Sequence, residues 1–140
     1  GPPLLLIAFA TATPFDVLSA DGDFLGGAIS PGINIASEAL YRRTAMLPRI
    51  ELSRPKRAIG RGTVTAMQSG ILFGYIGLVE KLIKEISSEL GGSPMVVSTG
   101  GYSPMFVDLV PAIQICNPDL SLIGLRLIHE MNAPDSQGER

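Results

Sequence analysis

Tryptophan, cysteine and histidine are almost missing from this sequence of 140 residues, which contains no Trp, one Cys and one His. Aromatic residues make up only 6% of the chain, so we expect a mostly aliphatic core. The single cysteine, Cys116, cannot form an internal disulfide, and with His129 alone it cannot complete a Cys/His zinc site. We expect Cys116 to pack as a small apolar group and His129 to lie at the surface. The low cysteine content favours a cytoplasmic protein.

Long hydrophobic runs and a strong net charge are also missing. The longest uninterrupted apolar run extends from Leu4 to Ala10, far short of the ~20 residues that cross a bilayer. The formal net charge is −2, which argues against a general nucleic-acid binder because such proteins carry a large positive charge. We therefore expect neither a membrane nor a nucleic acid as a partner.

The basic residues are unevenly distributed. Seven of the eleven lie between positions 42 and 61, where Glu51 is the only acid: Arg42, Arg43, Arg49, Arg54, Lys56, Arg57 and Arg61. Two interpretations stay open. The stretch is a solvated loop that balances acidic surface elsewhere, or it is a surface that faces phosphates or another anion.

Strand and helix patterns alternate along the chain. Asp21-Gly22 is a hairpin signal, Pro48 ends a helical pattern, and Gly91-Gly92 ends another. The patterns predict strands at 4–9, 15–18 and 24–29, helices at 33–47 and 63–90, a strand at 95–98, a helix at 105–109, a strand at 112–116 and a helix at 119–131. This order predicts a mixed α/β sheet led by an antiparallel hairpin, with helices on its faces. The natural ligand site is then at the carboxyl ends of the strands.

The predicted helix 63–90 has an unusual first half, because residues 66–79 carry no charge on any face. A helix that is apolar all round is buried on all sides. Gly70, Gly74 and Gly77 each cost ~1 kcal/mol relative to Ala in a helix, and close approach of another helix would offset that cost. The neighbour is either a partner subunit or another helix of the same chain.

Two short segments are candidate ligand contacts. Thr11-Ala12-Thr13 follows a buried strand and offers hydroxyl groups. Thr99-Gly100-Gly101 follows another strand, and its glycines allow backbone N–H groups to approach a ligand closely. Gly-rich turns after strands are often only turns, so both readings stay open for this segment.

Several motifs in this order and spacing resemble the C-terminal half of the type III pantothenate kinases. The resemblance extends from about Leu5 to Asn132. It rests on Thr11-Ala12-Thr13 with Phe15-Asp16, the run from Phe24 to Gly32, Leu47-Pro48, Ile59-Gly60, Thr63 with the run from Ala66 to Gly70, Thr99-Gly100-Gly101, Asn117-Pro118-Asp119-Leu120 and Gly124-Leu125-Arg126.

This resemblance implies a fold, an activity and a partner. The fold would be a single ribonuclease H-like domain of the actin-like ATPase superfamily over residues 1–132, followed by a disordered tail at 133–140. Family members use ATP to phosphorylate pantothenate, the first step of coenzyme A synthesis, and need a monovalent cation, K⁺ or NH₄⁺. They are dimers in which a long helix of this half forms much of the interface. Helix 63–90 would form the homodimer here.

Site residues also follow from the resemblance. Thr11 and Thr13 would contact the ATP phosphates, with Gly100 and Gly101 near the nucleotide, while Thr63 would contact pantothenate. Structural alternatives remain for two of them. Thr11 could be an ordinary hydroxyl at a strand end, and Thr63 could be the N-cap of its helix.

The sequence departs from the family pattern at the phosphate loop. Ala8 replaces an aspartate that would ligate the monovalent cation, so we assign no metal ligand. Ala10 adds a methyl group where backbone approaches phosphate, and Pro14 removes an N–H. We expect these departures to weaken nucleotide binding.

The family's N-terminal half carries the first phosphate loop, the pantothenate pocket and the general base, and these 140 residues contain none of them. Phosphoryl transfer requires positioning and charge neutralisation from both sides of a cleft. We therefore assign no catalytic residue and expect a dimerising fragment that is inactive alone. The alternatives are half of a complementing kinase, with the N-terminal half on another chain, or a ligand-binding regulatory module.

Overall fold

Three antiparallel strands begin the chain in the computed structural model, which describes residues 1–120, 123, 124, 127, 129 and 131. They are β1 (Leu4–Ala8), β2 (Ala12–Leu18) and β3 (Phe24–Pro31). Leu5 pairs with Val17 across β1 and β2, and Phe15 pairs with Ala28 across β2 and β3. The predicted tight turn between β2 and β3 is confirmed, since Gly22 has φ of 89° and Ser19 N–H donates to the Asp23 carbonyl at 2.8 Å.

Helices and parallel strands alternate after the hairpin. The elements are α1 (Ile33–Arg43), α2 (Thr63–Leu90), β4 (Met95–Thr99), α3 (Ser103–Leu109) and β5 (Ile115–Cys116). β4 pairs parallel to β1, and β5 pairs parallel to β4, so the order is β3-β2-β1-β4-β5. Within the described residues this is a mixed sheet of five strands with three helices, as the sequence predicts. The finer ribonuclease H-like assignment stays a prediction.

Two predicted elements are shorter in the structure by three residues or more. α1 ends at Arg43 rather than at residue 47, because Thr44 turns to extended backbone with φ of −120° and its hydroxyl donates to the Leu40 carbonyl. β5 begins at Ile115 rather than at residue 112. A turn occupies the segment before it, in which Ile113 N–H donates to the Val110 carbonyl at 3.0 Å.

Pro14 lies inside β2, which corrects the prediction that it belongs to a phosphate loop. A central strand rarely contains proline because proline cannot donate to the ladder. Here β1 pairs with β2 only as far as Phe15, so Pro14 has β3 as its neighbour and faces Ile29. The N–H group that Pro14 lacks is therefore missing from strand β2 and not from the loop at residues 9–11.

The core lies between one face of the sheet and the helices. It is largely aliphatic, as expected, with fully buried Leu5 and Ile7 from β1 and Leu72 and Val79 from α2. Aromatic residues concentrate in one part of it. The Phe9 ring stacks on Phe106 with centroids 4.5 Å apart, and the Tyr75 ring tilts against Phe106 at 5.3 Å. This group lies directly beneath the carboxyl ends of β1 and β4.

α2 runs over the predicted range and presents two different faces. One face packs into the core and includes the buried residues Met67, Ile71, Leu72, Tyr75, Val79 and Ile83. The opposite face is exposed at Gly70, Gly74 and Gly77, where an added Cβ would meet nothing within 4 Å. Among the described residues, internal packing therefore leaves these three positions uncovered, and the alternative of a partner subunit stays a prediction.

The second half of α2 carries charge on its exposed face. Lys81 Nζ lies 2.7 Å from a Glu85 carboxylate oxygen, one turn later. This hydrogen bond and the lysine charge lower the pKa of Glu85 below its ordinary value. α2 ends at Gly91 in the left-handed conformation, with φ of 74°, which confirms the predicted glycine stop.

Beyond β5 the structure describes only part of the chain. Ile123, Gly124, Leu127, His129 and Met131 have helical backbone, and His129 is exposed. The rest of the predicted helix 119–131 and the predicted tail 133–140 lie outside the described residues. Among the described residues, no helix is both long enough and apolar enough to span a membrane.

Candidate functional site

The carboxyl ends of β1, β3 and β4 meet at one edge of the sheet. There the backbone of residues 9–11, Gly32 and the turn Gly100-Gly101 form what we call the strand-end edge. Because β1 and β4 are parallel and β3 runs in the same direction as both, their ends face the same side. This is the position at which open α/β sheets bind ligands.

Gly100 holds the β4 turn against β1. It adopts φ of 95°, and a Cβ there would lie 2.3 Å from the Phe9 carbonyl oxygen. Phe9 N–H donates to the Thr99 carbonyl at 2.8 Å, beside this contact. No other residue type fits, because the required φ is unfavourable and the space is filled by backbone. Gly101 differs, since a Cβ there would meet nothing within 4 Å.

Gly32 holds the same loop from the other side. A Cβ at Gly32 would lie 2.2 Å from the Thr11 carbonyl oxygen and 2.5 Å from that of Ala10. The Gly32 N–H donates to the Thr11 carbonyl at 3.0 Å. Residues 9–11 are therefore fixed between two glycines, and the exposed Thr11 side chain lies at the open side of the edge.

Thr13 does not accompany Thr11. Its side chain is fully buried, and its hydroxyl bonds to the Tyr75 hydroxyl. Thr11, Gly100 and Gly101 are thus brought to one edge, whereas Thr13 faces the core. Nothing in the sequence marks this difference except the alternation of β2, which places Thr13 on the same face as Phe15 and Val17.

Residue 8, where the family has its cation-ligating aspartate, has no side-chain ligand in this chain. Ala8 ends β1 opposite Thr99 and is half-buried, and its methyl group has no oxygen to give. Across the part of the chain that the structure describes, no group of three or more His, Cys, Asp and Glu residues could hold a metal ion. Residue 8 therefore lacks the carboxylate that the resemblance implies for the family's cation site.

A cavity of about 490 Å³ lies beside the strand-end edge, and sequence reasoning missed it. Its lining includes Asn34, two residues after Gly32, and Tyr102, directly after Gly101. Buried Ser37, the partly exposed acid Glu38 and Glu51 add polar groups. These residues come from α1, the following loop and the start of α3, so no local motif could have identified the cavity.

A second cavity, of about 470 Å³, lies at the start of α2 and is called here the basic pocket. Its cationic lining residues are Arg54, Lys56, Arg57 and Arg61, and Thr65 and Gln68 contribute from the helix. All of these cations are exposed, and their ammonium and guanidinium groups form no ion pair with the described acids. The basic stretch is therefore split, because Arg42 and Arg49 instead pair with Glu38 at 3.4 and 3.1 Å.

The loop that carries these cations is attached to α2 at several points. Gln68 donates to the Glu51 carbonyl at 3.0 Å and to the Ser53 hydroxyl at 3.1 Å, and the Ser69 hydroxyl donates to the Ala58 carbonyl. A Cβ at Gly60 would lie 2.3 Å from the Ala66 nitrogen. The loop has no regular secondary structure, yet these contacts give the pocket a fixed wall.

Thr63 begins α2 next to the basic pocket, and it is not the N-cap. Gly62 occupies the cap position, and its N–H donates to the Thr65 hydroxyl at 3.1 Å. The alternative of a capping role for Thr63 is therefore wrong, and its exposed hydroxyl bonds to no other described residue. Thr63 precedes Tyr75 by twelve residues, roughly 18 Å along the helix axis. In one chain, Thr63 and the strand-end edge are thus separate.

The fold is shared with a solved structure. It resembles that of a conserved Campylobacter jejuni protein provisionally assigned to the Baf family of transcriptional activators, with a TM-score of 0.63 at 20% identity over 91% of this chain and 57% of that one. At this identity the likeness shows the fold alone.

Sequence comparisons give the family. A family model for type III pantothenate kinases matches residues 1–85. The chain is 49% identical over 133 residues to a type III pantothenate kinase of Rhodospirillum rubrum and 50% identical over 136 residues to one of Paramagnetospirillum magneticum. These alignments cover 95% and 97% of this chain but 52% of each relative, in its C-terminal half. The chain belongs to the type III pantothenate kinase family and spans about half the length of the curated relatives it matches.

Substitution of the two glycines of the β4 turn tests the geometry of the edge. Gly100→Ala is expected to lower the free energy of unfolding by about 2 kcal/mol or more, because its methyl group would overlap the Phe9 backbone at an unfavourable φ. Gly101→Ala is the matched control and should change stability by less than about 0.5 kcal/mol. Urea unfolding followed by circular dichroism measures both. Equal effects of the two substitutions would contradict the close contact at Gly100.

Proposed function

We propose that this chain supplies the C-terminal half of an ATP-dependent pantothenate kinase, which catalyses the first step of coenzyme A synthesis. The observation that carries the proposal is identity of about one half to such kinases over nearly the whole chain. Two regions give the proposal a physical basis. The strand-end edge with its neighbouring cavity is the candidate region for ATP, and the basic pocket is the candidate region for pantothenate.

The strand-end edge is the proposed ATP-phosphate site. Glycine at position 101 leaves its backbone open to a ligand, and backbone N–H groups in such turns bind phosphate oxygens. The exposed Thr11 hydroxyl is a further donor. The neighbouring polar cavity at Asn34, Glu38 and Tyr102 has room for the nucleoside. Nucleotide binding at this edge accounts for the fixed backbone of residues 9–11.

Two of the three departures from the family pattern bear on this site. Ala8 removes a carboxylate, so the monovalent cation that the family uses has no side-chain ligand there. Ala10 is exposed within the loop itself. The third, Pro14, lies in β2 and gives no reason for weaker binding. We therefore propose ATP binding that is weakened mainly by the loss of the acid at position 8.

The basic pocket beside Thr63 is proposed to add contacts to pantothenate, opposite the pocket that the resemblance places on the N-terminal half. Pantothenate carries a carboxylate, and a cavity with several cations and no paired acid attracts anions. The pocket also contains the exposed apolar side chain of Ile59, which can contact the aliphatic part of the substrate. Thr63 begins the helix at its border, where its free hydroxyl can bind the same ligand.

Catalysis requires a second half of the cleft in this proposal. Charge neutralisation and positioning must act on the transferred phosphoryl group from both sides, and the resemblance places the general base on the N-terminal half. The 140 residues alone are expected to transfer no phosphate. Together with such a half, on the same or another chain, they complete the enzyme.

A chimeric kinase tests this function. Replacement of the C-terminal half of the Rhodospirillum rubrum relative by this chain should give ATP-dependent phosphorylation of pantothenate in a coupled ADP-release assay. Failure of the purified, folded chimera to phosphorylate pantothenate, while the intact relative does so, would contradict the proposal.

Charge reversal in this chimera tests the substrate assignment. Arg57→Glu should raise the KM for pantothenate about tenfold, since loss of a charged contact weakens binding by 1.4 kcal/mol or more, with little effect on the KM for ATP. Lys84→Glu, on the exposed face of α2, is the control. Equal KM values for pantothenate in both variants would remove the basic pocket from the site.

We also propose that α2 forms a homodimer through its uncharged exposed face, here called the glycine face: Ala66, Gly70, Gly74 and Gly77 with the half-buried Phe73. None of the described residues covers these glycines within 4 Å of an added Cβ, although a glycine inside a helix is costly. A second copy of the same face would bring two helix backbones close together and offset that cost. A groove of about 410 Å³ between α1 and α2, which includes Gly70 and Gly74, continues this surface.

A bulky charge at Gly74 tests the dimer. A Cβ at position 74 would meet none of the described atoms within 4 Å, and Arg replaces a poor helix former, so the monomer should be at least as stable as before. Light scattering should show the wild-type chain at twice 14.8 kDa and the variant at 14.8 kDa. Ser88→Arg, on the charged half of the exposed face, should stay dimeric. A wild-type monomer, or a dimeric Gly74→Arg, would contradict the assignment.

A further inference from the structure

The Tyr75 hydroxyl connects the middle of α2 to two strands of the sheet. Tyr75 is 5% exposed. Its hydroxyl donates to the Pro31 carbonyl at 3.2 Å and bonds to the Thr13 hydroxyl. A tyrosine hydroxyl has a single proton, so when it donates to Pro31 it must accept from Thr13. The direction of both hydrogen bonds is therefore fixed.

These two partners lie immediately beside the strand-end edge. Thr13 is two residues after Thr11, and Pro31 directly precedes Gly32. Ala12 pairs with Pro31 across β2 and β3, and Gly32 N–H donates to the Thr11 carbonyl. Tyr75 thus closes a small ring of contacts that joins the start of β2 to the end of β3. The ring sets the separation between residues 10–12 and the start of α1.

The Tyr75 ring also supports the opposite side of the edge. It packs against Phe106, which stacks on Phe9. Phe9 is the residue whose backbone contacts Gly100 and bonds to Thr99. Tyr75 is therefore linked to both glycines that fix residues 9–11. It reaches Gly32 through the neighbouring Pro31, and it reaches Gly100 through Phe106 and Phe9. Among the described residues it is the only α2 side chain with a hydrogen bond to this region.

We propose that Tyr75 is a positioning residue for the strand-end edge and that Thr13 acts through it rather than on the nucleotide. The inference rests on the proposed function, because the edge is the proposed site for ATP phosphates. Tyr75 itself is buried in the core, so it acts on the edge and not on the nucleotide. Loss of its hydroxyl leaves the fully buried Thr13 hydroxyl without its partner and leaves the Pro31 carbonyl with the Ser30 hydroxyl, which donates to it at 3.3 Å. β2 and β3 then separate more readily at this end.

Tyr75→Phe and amide hydrogen exchange by NMR test the inference on the 140-residue chain. The amides of Gly32 and Phe9 report the two contacts, since each donates across the edge. In Tyr75→Phe both should exchange about tenfold faster relative to amides in the centre of α2. Thr13→Val, which removes the other hydroxyl at nearly constant shape, should give a change in the same direction. The double variant should exchange no faster than Tyr75→Phe alone, because the two residues act as one unit.

Ser69→Ala is the matched control. Ser69 is a buried α2 residue whose hydroxyl also bonds to a distant carbonyl, that of Ala58, away from the edge. The Ser69→Ala substitution should leave the relative amide exchange rates of Gly32 and Phe9 unchanged. A purely structural role for Tyr75 would accelerate all amides in proportion. That result, or unchanged exchange at Gly32 and Phe9, would overturn the inference.

Titration of ATP–Mg²⁺ separates this inference from the proposed function. If the wild-type chain binds ATP, Tyr75→Phe should bind it about fivefold to tenfold more weakly, whereas Ser69→Ala should match the wild type. Equal affinity in Tyr75→Phe would overturn the positioning role. A wild-type chain without ATP binding would count against the proposed function alone, and exchange at Gly32 and Phe9 would still decide what Tyr75 does.

Discussion

The backbone of residues 9–11 passes between two glycines with no room for a single methyl group on either side. The contacts of Gly100 with Phe9 and of Gly32 with Thr11 bring three loops from distant parts of the chain to one edge. Each loop follows a strand of the same direction, so the sheet delivers them to the same place. The strand-end edge depends on this close backbone packing. The packing also brings the exposed Thr11 hydroxyl and the open Gly101 backbone to the same edge.

α2 relates this edge to the rest of the molecule. Its buried face carries the core and, at Tyr75, reaches the edge, while its first turn borders the basic pocket. Its glycine face is not covered at Gly70, Gly74 and Gly77 by any residue that the structure describes. One rigid helix therefore touches the proposed nucleotide site, the proposed substrate site and the proposed partner surface. The fixed separation along this helix explains why Thr11 and Thr63 do not meet in a single chain.

The sequence predicts the elements better than it predicts the contacts. The prediction of a helix at 63–90 is correct at both ends, because uninterrupted helical periodicity and a terminal Gly-Gly pair define this helix locally. The ends of α1 and β5 are less accurate, since the Thr44 hydroxyl and a turn at 110–113 compete with the pattern. Local motifs predict Thr11, Gly100 and Gly101 as ligand contacts, and the structure brings these three residues to one edge, but no motif predicts the burial of Thr13. Its partner lies 62 residues away, and no local signal reports such a distance. The split of the basic residues has the same cause, because Glu38 reaches Arg49 across a loop.

The most direct test of this account is a titration of ATP–Mg²⁺, with potassium present, into the isotopically labelled chain, followed by amide chemical shifts. We predict saturable shifts at Ala10, Thr11, Gly32, Gly100 and Gly101, with weaker effects around the cavity at Asn34 and Tyr102. Shifts confined to Arg54, Lys56, Arg57 and Arg61, or none at the strand-end edge at millimolar ATP, would contradict the claim that this edge binds the nucleotide.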